Sequence, residues 1–331
     1  MSETTRELVI VGVDSAAFAP LLEILGEREM ISAEQLILLE TEEREVDPQV
    51  FANRTIPVQS LGKFVFNDAQ VVVLLRSGDD VATAMAAAEQ NGAWVLDAAA
   101  ITRGDESAAL IHPVLNSAEL ANLERRVVAL PSAGAAMVAE ALAPLKDGLQ
   151  SVYVQLNQPV SALGKAAIDS MAAQTACMFS GQDAEIDPAI GHRLAFNQLS
   201  TSEAPLSSGH TLSELTLIHD LRRLLGEAVA FDASITTVAV FHGQLANLGV
   251  VFKEDIDLEK VRALLGNGAR LQLAEQPSTE NAVGSEVTLI GRLRQSLLDK
   301  HQLNLCAVSD NLRKDVAVNC AQIAHLLLKS Y

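Results

Sequence analysis

The run VVALPSAGAAM (127–137) sets a short apolar segment, Val127–Leu130, against Pro131 and a helix that begins at once. A strand-to-helix junction of this kind suits a nucleophile, because a helix N-terminus favours negative charge and lowers the pKa of a thiol placed there. Here the junction carries Ser132 and Ala133. A methyl group cannot attack a carbonyl. Nothing near Ser132 in sequence would activate its hydroxyl, so Ser132 reads as the helix N-cap. The three cysteines, Cys177, Cys306 and Cys320, are too few and too scattered for a disulfide framework or a zinc motif. Cys306 sits in the apolar run LNLCAV and Cys320 in the last helix, and both read as small core residues. His210 and His219 are nine apart on an amphipathic segment, which is not a ligand pair.

The elements that must position these groups alternate in the first half of the chain. ELVIVGV (7–13), QLILLE (35–40), TIPVQS (55–60), QVVVLLR (70–76), AWVLDA (93–98) and RRVVAL (125–130) read as strands. Several are continuously apolar, as strands buried on both faces of a parallel sheet are. Helices are predicted over 15–29 and 79–92, the latter with an aspartate start and a glycine stop. Strands alternating with helices predict a doubly wound α/β domain. Beyond about residue 150 the strands lengthen and alternate: 151–158, 233–241, 244–252, 286–294 and 302–308. Helices at 161–179, 211–226, 257–266 and 312–330 are interspersed, which predicts an α+β domain on a mixed or antiparallel sheet.

Bulk properties narrow the function. A chain of 331 residues suffices for two domains with full cores. Its 42 acidic against 24 basic side chains give a net charge of −18, a surface that repels phosphate backbones and anionic lipid. Neither nucleic acid nor membrane is an expected partner. No run approaches the ~18 apolar residues of a membrane span, and MSETTRELVIV has no basic leader region, so a cytoplasmic location is expected.

Four segments, in order, carry a family resemblance. VSALGKAAIDSM (160–171) resembles V-S-G-A-G-K-A-A-I-E-E-L of the aspartate-semialdehyde dehydrogenases. LAFNQL (194–199) is similar to their A-F-N segment, and GRLRQ (291–295) to their G-R-I-R. SDNLRKDVAVNCAQIAHLL (309–327) resembles their closing D-N-L-R-K-G-A-A-L-N-A-V-Q-I-A-E-L-L, with Asp315 in place of the glycine. The resemblance implies a Rossmann-like parallel-sheet domain over 1–130, with helix 312–331 packing back on it. An α+β dimerisation domain then covers 131–311, and the protein is a homodimer.

The resemblance also implies a chemistry. A thiolate accepts an acyl group, phosphate enters or leaves, and a nicotinamide exchanges a hydride. Against A-N-P-N-C-S-T-I-Q, Ala133 takes the cysteine's place. Against R-V-P-V-F-x-G-H, TVAVFHGQ (237–244) puts Thr237 at the arginine and Gln244 at the basic histidine. His242, two residues before Gln244, lies ~6.6 Å away along a strand and reads as structural or surface. Gln158 keeps the active-site glutamine. Arg103, Asn116 and Glu214 match substrate- or phosphate-binding positions and are expected as vestigial ones, or as ordinary polar residues. Thr216 replaces a lysine.

The cofactor turn G-A-T-G-A-V-G has become GVDSAAF (12–18), which keeps only Gly12. Phe18 reads as core, and the run LETEERE (39–45) as a solvated acidic loop hostile to a 2′-phosphate. No cofactor is therefore expected, or NADP or NAD if any. The expectation is a family member without its catalytic Cys, His and Arg, acting as a dimeric binding, structural or regulatory protein. The alternative is an NAD(P)-dependent oxidoreductase of an aldehyde or acyl phosphate with a displaced set, Ser132, His242, Gln158 and Arg103. A heterodimer with an active paralogue is a further arrangement.

Overall fold

The structure is a computed structural model that describes residues 6–41, 46–68, 70–102 and 104–330. It divides into two compact units, Met1–Pro131 with Val316–Tyr331, and Ser132–Asp315.

The first unit is built on β1 (Glu7–Val11), α1 (Phe18–Glu27), β2 (Leu36–Glu40), β3 (Gln49–Phe51), β4 (Arg54–Ile56), β5 (Val58–Ser60), β6 (Gln70–Leu74), α2 (Asp79–Gln90), β7 (Trp94–Asp97), β8 (Ala109–Leu110) and β9 (Val127–Ala129). Its main sheet has the order β5-β2-β1-β6-β7-β9-β8, and every pairing in it is parallel. Val9, Val11, Val72, Leu74 and Val95 point to one face and pack with Val81, Ala84 and Ala88 of α2. The alternate residues Leu8, Ile10, Val71 and Val73 are just as buried, so both faces are covered. The C-terminal helix Asn319–Ser330 lies against β1, β6 and β7. Burying each such aliphatic side chain stabilises by ~1.5–3 kcal/mol, which is why continuous apolar runs mark these strands.

The second unit holds α3 (Ala133–Leu142), β10 (Leu149–Pro159), α4 (Lys165–Phe179), β11 (Gln198–Leu199), α5 (Leu212–Leu225), β12 (Ala230–Val238), β13 (Gln244–Phe252), α6 (Leu258–Gly266), β14 (Leu271–Leu273), α7 (Thr279–Ala282), β15 (Thr288–Gln295) and β16 (Gln302–Ser309). The sheet order is β11-β12-β10-β13-β16-β15-β14, with β10–β12 and β14–β15 parallel and the other pairs antiparallel. The mixed α/β class expected from the strand patterns is what the chain adopts.

Local expectations needed correction where a turn residue intervenes. TIPVQS is two strands, because Pro57 cannot donate to a ladder: Arg54–Ile56 pairs with β3, and Val58–Ser60 joins the main sheet beside β2. The helix expected over 161–179 is broken at Gly164, whose φ of +96 separates a short 3-10 turn from α4. The last helix begins as a wide π turn, Arg313–Val318, before the α-helical part.

Candidate functional site

Ser132 stands at the N-cap position of α3 with φ −53 and ψ 149, but its side chain makes no capping bond. This corrects the side-chain cap expected from the sequence. The backbone N–H of Ser132 instead donates to Asp220 Oδ2 on α5 at 2.9 Å. Burial pushes the Asp220 carboxyl above its ordinary range, and the bond from Ser132 pulls the other way. Ala133 opens α3 and is half-buried.

Gln244 begins β13 and is 2% exposed. Its Nε2 donates to Ala133 O at 2.9 Å and to Asp315 Oδ2 at 2.8 Å, with Ser309 Oγ at 3.4 Å. Ser309 Oγ also donates to Asp315 Oδ2. Lys314, with no exposed side-chain surface, donates from Nζ to Asp315 Oδ1 at 2.8 Å and pairs with Glu140. Glu140 also receives Arg270 Nε at 2.6 Å and Thr288 Oγ1 at 3.0 Å. Two carboxylates and two cations thus balance inside the unit, which is the condition for burying them at all.

The loop that presents Lys314 and Asp315 is held by the residues before it. Asp310 Oδ1 accepts the N–H groups of Leu312 and Arg313 at 3.0 and 2.9 Å, and Oδ2 that of Gly284 at 2.9 Å. Asn311 Nδ2 donates to Ser161 Oγ at 3.0 Å, while its Oδ1 accepts the Gly243 N–H at 3.0 Å.

Gln158 and Thr237 are register partners on the parallel strands β10 and β12. Gln158 Nε2 donates to Thr237 Oγ1 at 3.0 Å, and Thr237 is buried. Glu214 is buried with both carboxylate oxygens occupied: Oε2 accepts the Thr211 N–H at 2.8 Å in a capping box, and Oε1 accepts the Ile235 N–H at 2.9 Å. His242 lies half-buried in the turn between β12 and β13.

In the first unit, Asn116 Oδ1 accepts the His112 N–H at 2.7 Å and Nδ2 donates to Leu110 O at 2.9 Å, so it closes a turn. Gly12 follows β1 with φ +102, and a Cβ there would meet Arg76 Cγ at 3.0 Å. Glu40, read from sequence as part of a solvated loop, is instead buried and paired with Arg76 at 2.9 Å. Arg103 and the stretch 42–45 lie outside the described residues. Phe18, Cys306 and Cys320 are core, as expected, and burial pushes the Cys306 thiol to about 11 and the Cys320 thiol upward as well. Among the described residues no group of three or more His, Cys, Asp or Glu could hold a metal ion, and no helix is long and apolar enough to cross a membrane.

The family model for the semialdehyde dehydrogenase dimerisation domain matches residues 142–314. The chain belongs to the aspartate-semialdehyde dehydrogenase family. It is 29% identical to the aspartate-semialdehyde dehydrogenase 2 of Vibrio cholerae serotype O1, over 98% of both chains. It is 30% identical to a USG-1 protein homolog of Azotobacter vinelandii, again over 98% of both. A crystal structure of aspartate semialdehyde dehydrogenase II from Vibrio cholerae, complexed with ASA, superposes with a TM-score of 0.93 at 28% identity, covering 99% of this chain and 100% of that one.

Family membership gives the polar cluster of the second unit its meaning. Of the positions that the motif resemblance ties to chemistry, Ala133 and Gln244 are joined by the Gln244 amide, while Gln158, which follows the Asn157–Leu245 register pair of β10 and β13, spends its side chain on Thr237. Asp220, Ser309 and the buried role of Asp315 were not singled out from the sequence. The one available signal was Asp315 itself, an acidic residue where the family pattern has a glycine.

Proposed function

We propose that this chain is a non-catalytic member of its family, a dimeric binding, structural or regulatory protein. The observation that carries the reading is the side chain of Gln244, whose amide N–H groups are engaged by Ala133 O and Asp315 Oδ2. An amide cannot serve as general base at neutral pH, and here it acts as a buried tie. Ala133 supplies no thiol, and Thr237 supplies no guanidinium to clamp a carboxylate. Gln158 is the retained catalytic position. Arg103, Asn116, Glu214 and Gly12 are vestigial binding positions, and no nicotinamide cofactor, NADP or NAD, is used.

The assembly is a homodimer through the second unit, Ser132–Asp315 rather than the 131–311 expected from the sequence, with the first unit as the nucleotide-binding-type domain. The matched dimerisation domain supports this. A heterodimer with an active paralogue would be seen as co-purification of the two chains. We place the protein in the cytoplasm, where a net charge of −18 keeps it dissolved.

The test is an assay with L-aspartate 4-semialdehyde, phosphate and NADP, followed by NADPH absorbance. No turnover above the protein-free rate is expected. Turnover that disappears on Gln158→Ala would overturn the reading and point to a displaced set drawn from Ser132, His242, Gln158 and Arg103.

A further inference from the structure

In an open parallel sheet, a dinucleotide lies beyond the C-terminal ends of the strands, at the point where the strand order reverses. In the first unit that point falls between β1 and β6. Gly12 is the first residue past β1, Arg76 lies two residues past β6, and Glu40 ends β2. In such folds the first glycine after β1 makes the tight turn that opens onto the pyrophosphate site, and an acidic residue near the end of the second strand accepts the ribose diol.

Arg76 lies across this edge. Its Cγ would be 3.0 Å, and its Cβ 3.4 Å, from a Cβ built on Gly12, so its aliphatic stem covers the open face of the glycine. Its guanidinium reaches past β1 to β2, where Nε donates to Glu40 Oε1 at 2.9 Å. Nη1 and Nη2 clamp Asp80 in the first turn of α2 at 3.1 and 2.6 Å. The side chains of Arg76 and Glu40 are only 14% and 1% exposed, so the pair is largely withdrawn from water. The planar fork is held at both ends and has no reason to leave. Glu40 Oε2 is buried with no hydrogen-bond partner among the described residues, an acceptor that the ribose diol of a dinucleotide would otherwise meet.

The residues present therefore do not fit a nicotinamide dinucleotide. We propose that Arg76 is an internal plug of the dinucleotide cleft, holding by its bonds to Glu40 and Asp80 the edge that a pyrophosphate and ribose would occupy. This rests on the reading that the chain uses no nicotinamide cofactor, and names the residue responsible. Removing the plug opens the cleft to NAD and not to NADP, because the Glu40 carboxylate accepts ribose hydroxyls and repels a 2′-phosphate.

The test is calorimetric titration of the full chain with NAD and with NADP, on the wild type, on Arg76→Ala, and on Arg76→Ala with Glu40→Gln. The double variant leaves no unpaired buried charge yet keeps a carbonyl acceptor for the ribose, so it covers the case in which the single variant fails to fold. The wild type is expected to be silent, with saturable NAD binding in the folded variants at a Kd below ~1 mM. Saturable binding of either cofactor to the wild type would overturn the cofactor-free reading and the plug together. A silent wild type and equally silent folded variants would overturn the plug alone.

Discussion

Gln244 and Asp315 are 71 residues apart in the chain, and Gln244 Nε2 donates to Asp315 Oδ2 at 2.8 Å. The motif resemblance sets them against a histidine and a glycine of the family pattern. The acid on the closing loop meets the amide at the start of β13, and the two form one buried polar unit with Ser309 and Lys314.

The pair should be energetically coupled. Gln244→Ala removes the amide donor shared by Ala133 O and Asp315 Oδ2, leaving the Ser309 hydroxyl on the carboxylate, and a loss of about 1–3 kcal/mol in unfolding free energy is expected. Combined with Asp315→Gly, the loss should fall short of the sum of the single losses by about 1 kcal/mol, measured by urea denaturation. Strict additivity would mean the contact has no weight.

Ala133→Cys would place a thiol at the first residue of α3. In a Cys177→Ser background the other thiols, Cys306 and Cys320, are buried and held protonated. The new thiol should be alkylated by iodoacetamide with a midpoint below the ordinary ~8.5, because the helix terminus favours the thiolate. A midpoint at or above that value would show that the junction no longer stabilises an anion.

Acid should act through Arg125. Its bonds hold the Glu89 carboxyl below its usual range, and the Ser107 hydroxyl together with Arg125 holds Asp105 down to about 2. Carboxyls depressed in the folded state stabilise it above their unfolded values, near ~4, and that stability is lost as pH falls towards 2. Arg125→Met should flatten the fall of Tm between pH 4 and 2, when scanned against the wild type. Parallel Tm curves would remove Arg125 from the account.

Gly291 in the GRLRQ run tolerates no side chain. A Cβ there would lie 2.4 Å from the backbone oxygen of Ala274 and 2.5 Å from Pro277 Cδ. Neither is the far end of a flexible chain, so Gly291→Ala is expected to cost about 1–3 kcal/mol by overpacking. A thermal midpoint unchanged from wild type would contradict that geometry.

Much of the fold was legible because period and composition are local. The continuous apolar runs of β1, β2 and β6 require burial on both faces, and alternation with helices then leaves a parallel sheet. The lengthening of strands after residue 150 likewise marked the second, mixed sheet. Breaks were less legible: Pro57 divides one apparent strand between two sheets, and the wide π turn at Arg313–Val318 gives no periodic signal.

By itself the sequence determined the family and the two kinds of sheet, since those depend on order along the chain. Only the tertiary structure decided what the individual polar side chains touch. That Gln244 ties Ala133 to Asp315, that Glu40 is buried rather than solvated, and that Arg76 covers Gly12 are contacts between distant segments. Hydrogen bonds and ion pairs of this kind depend on distances of a few ångströms, which folding sets and local sequence does not encode.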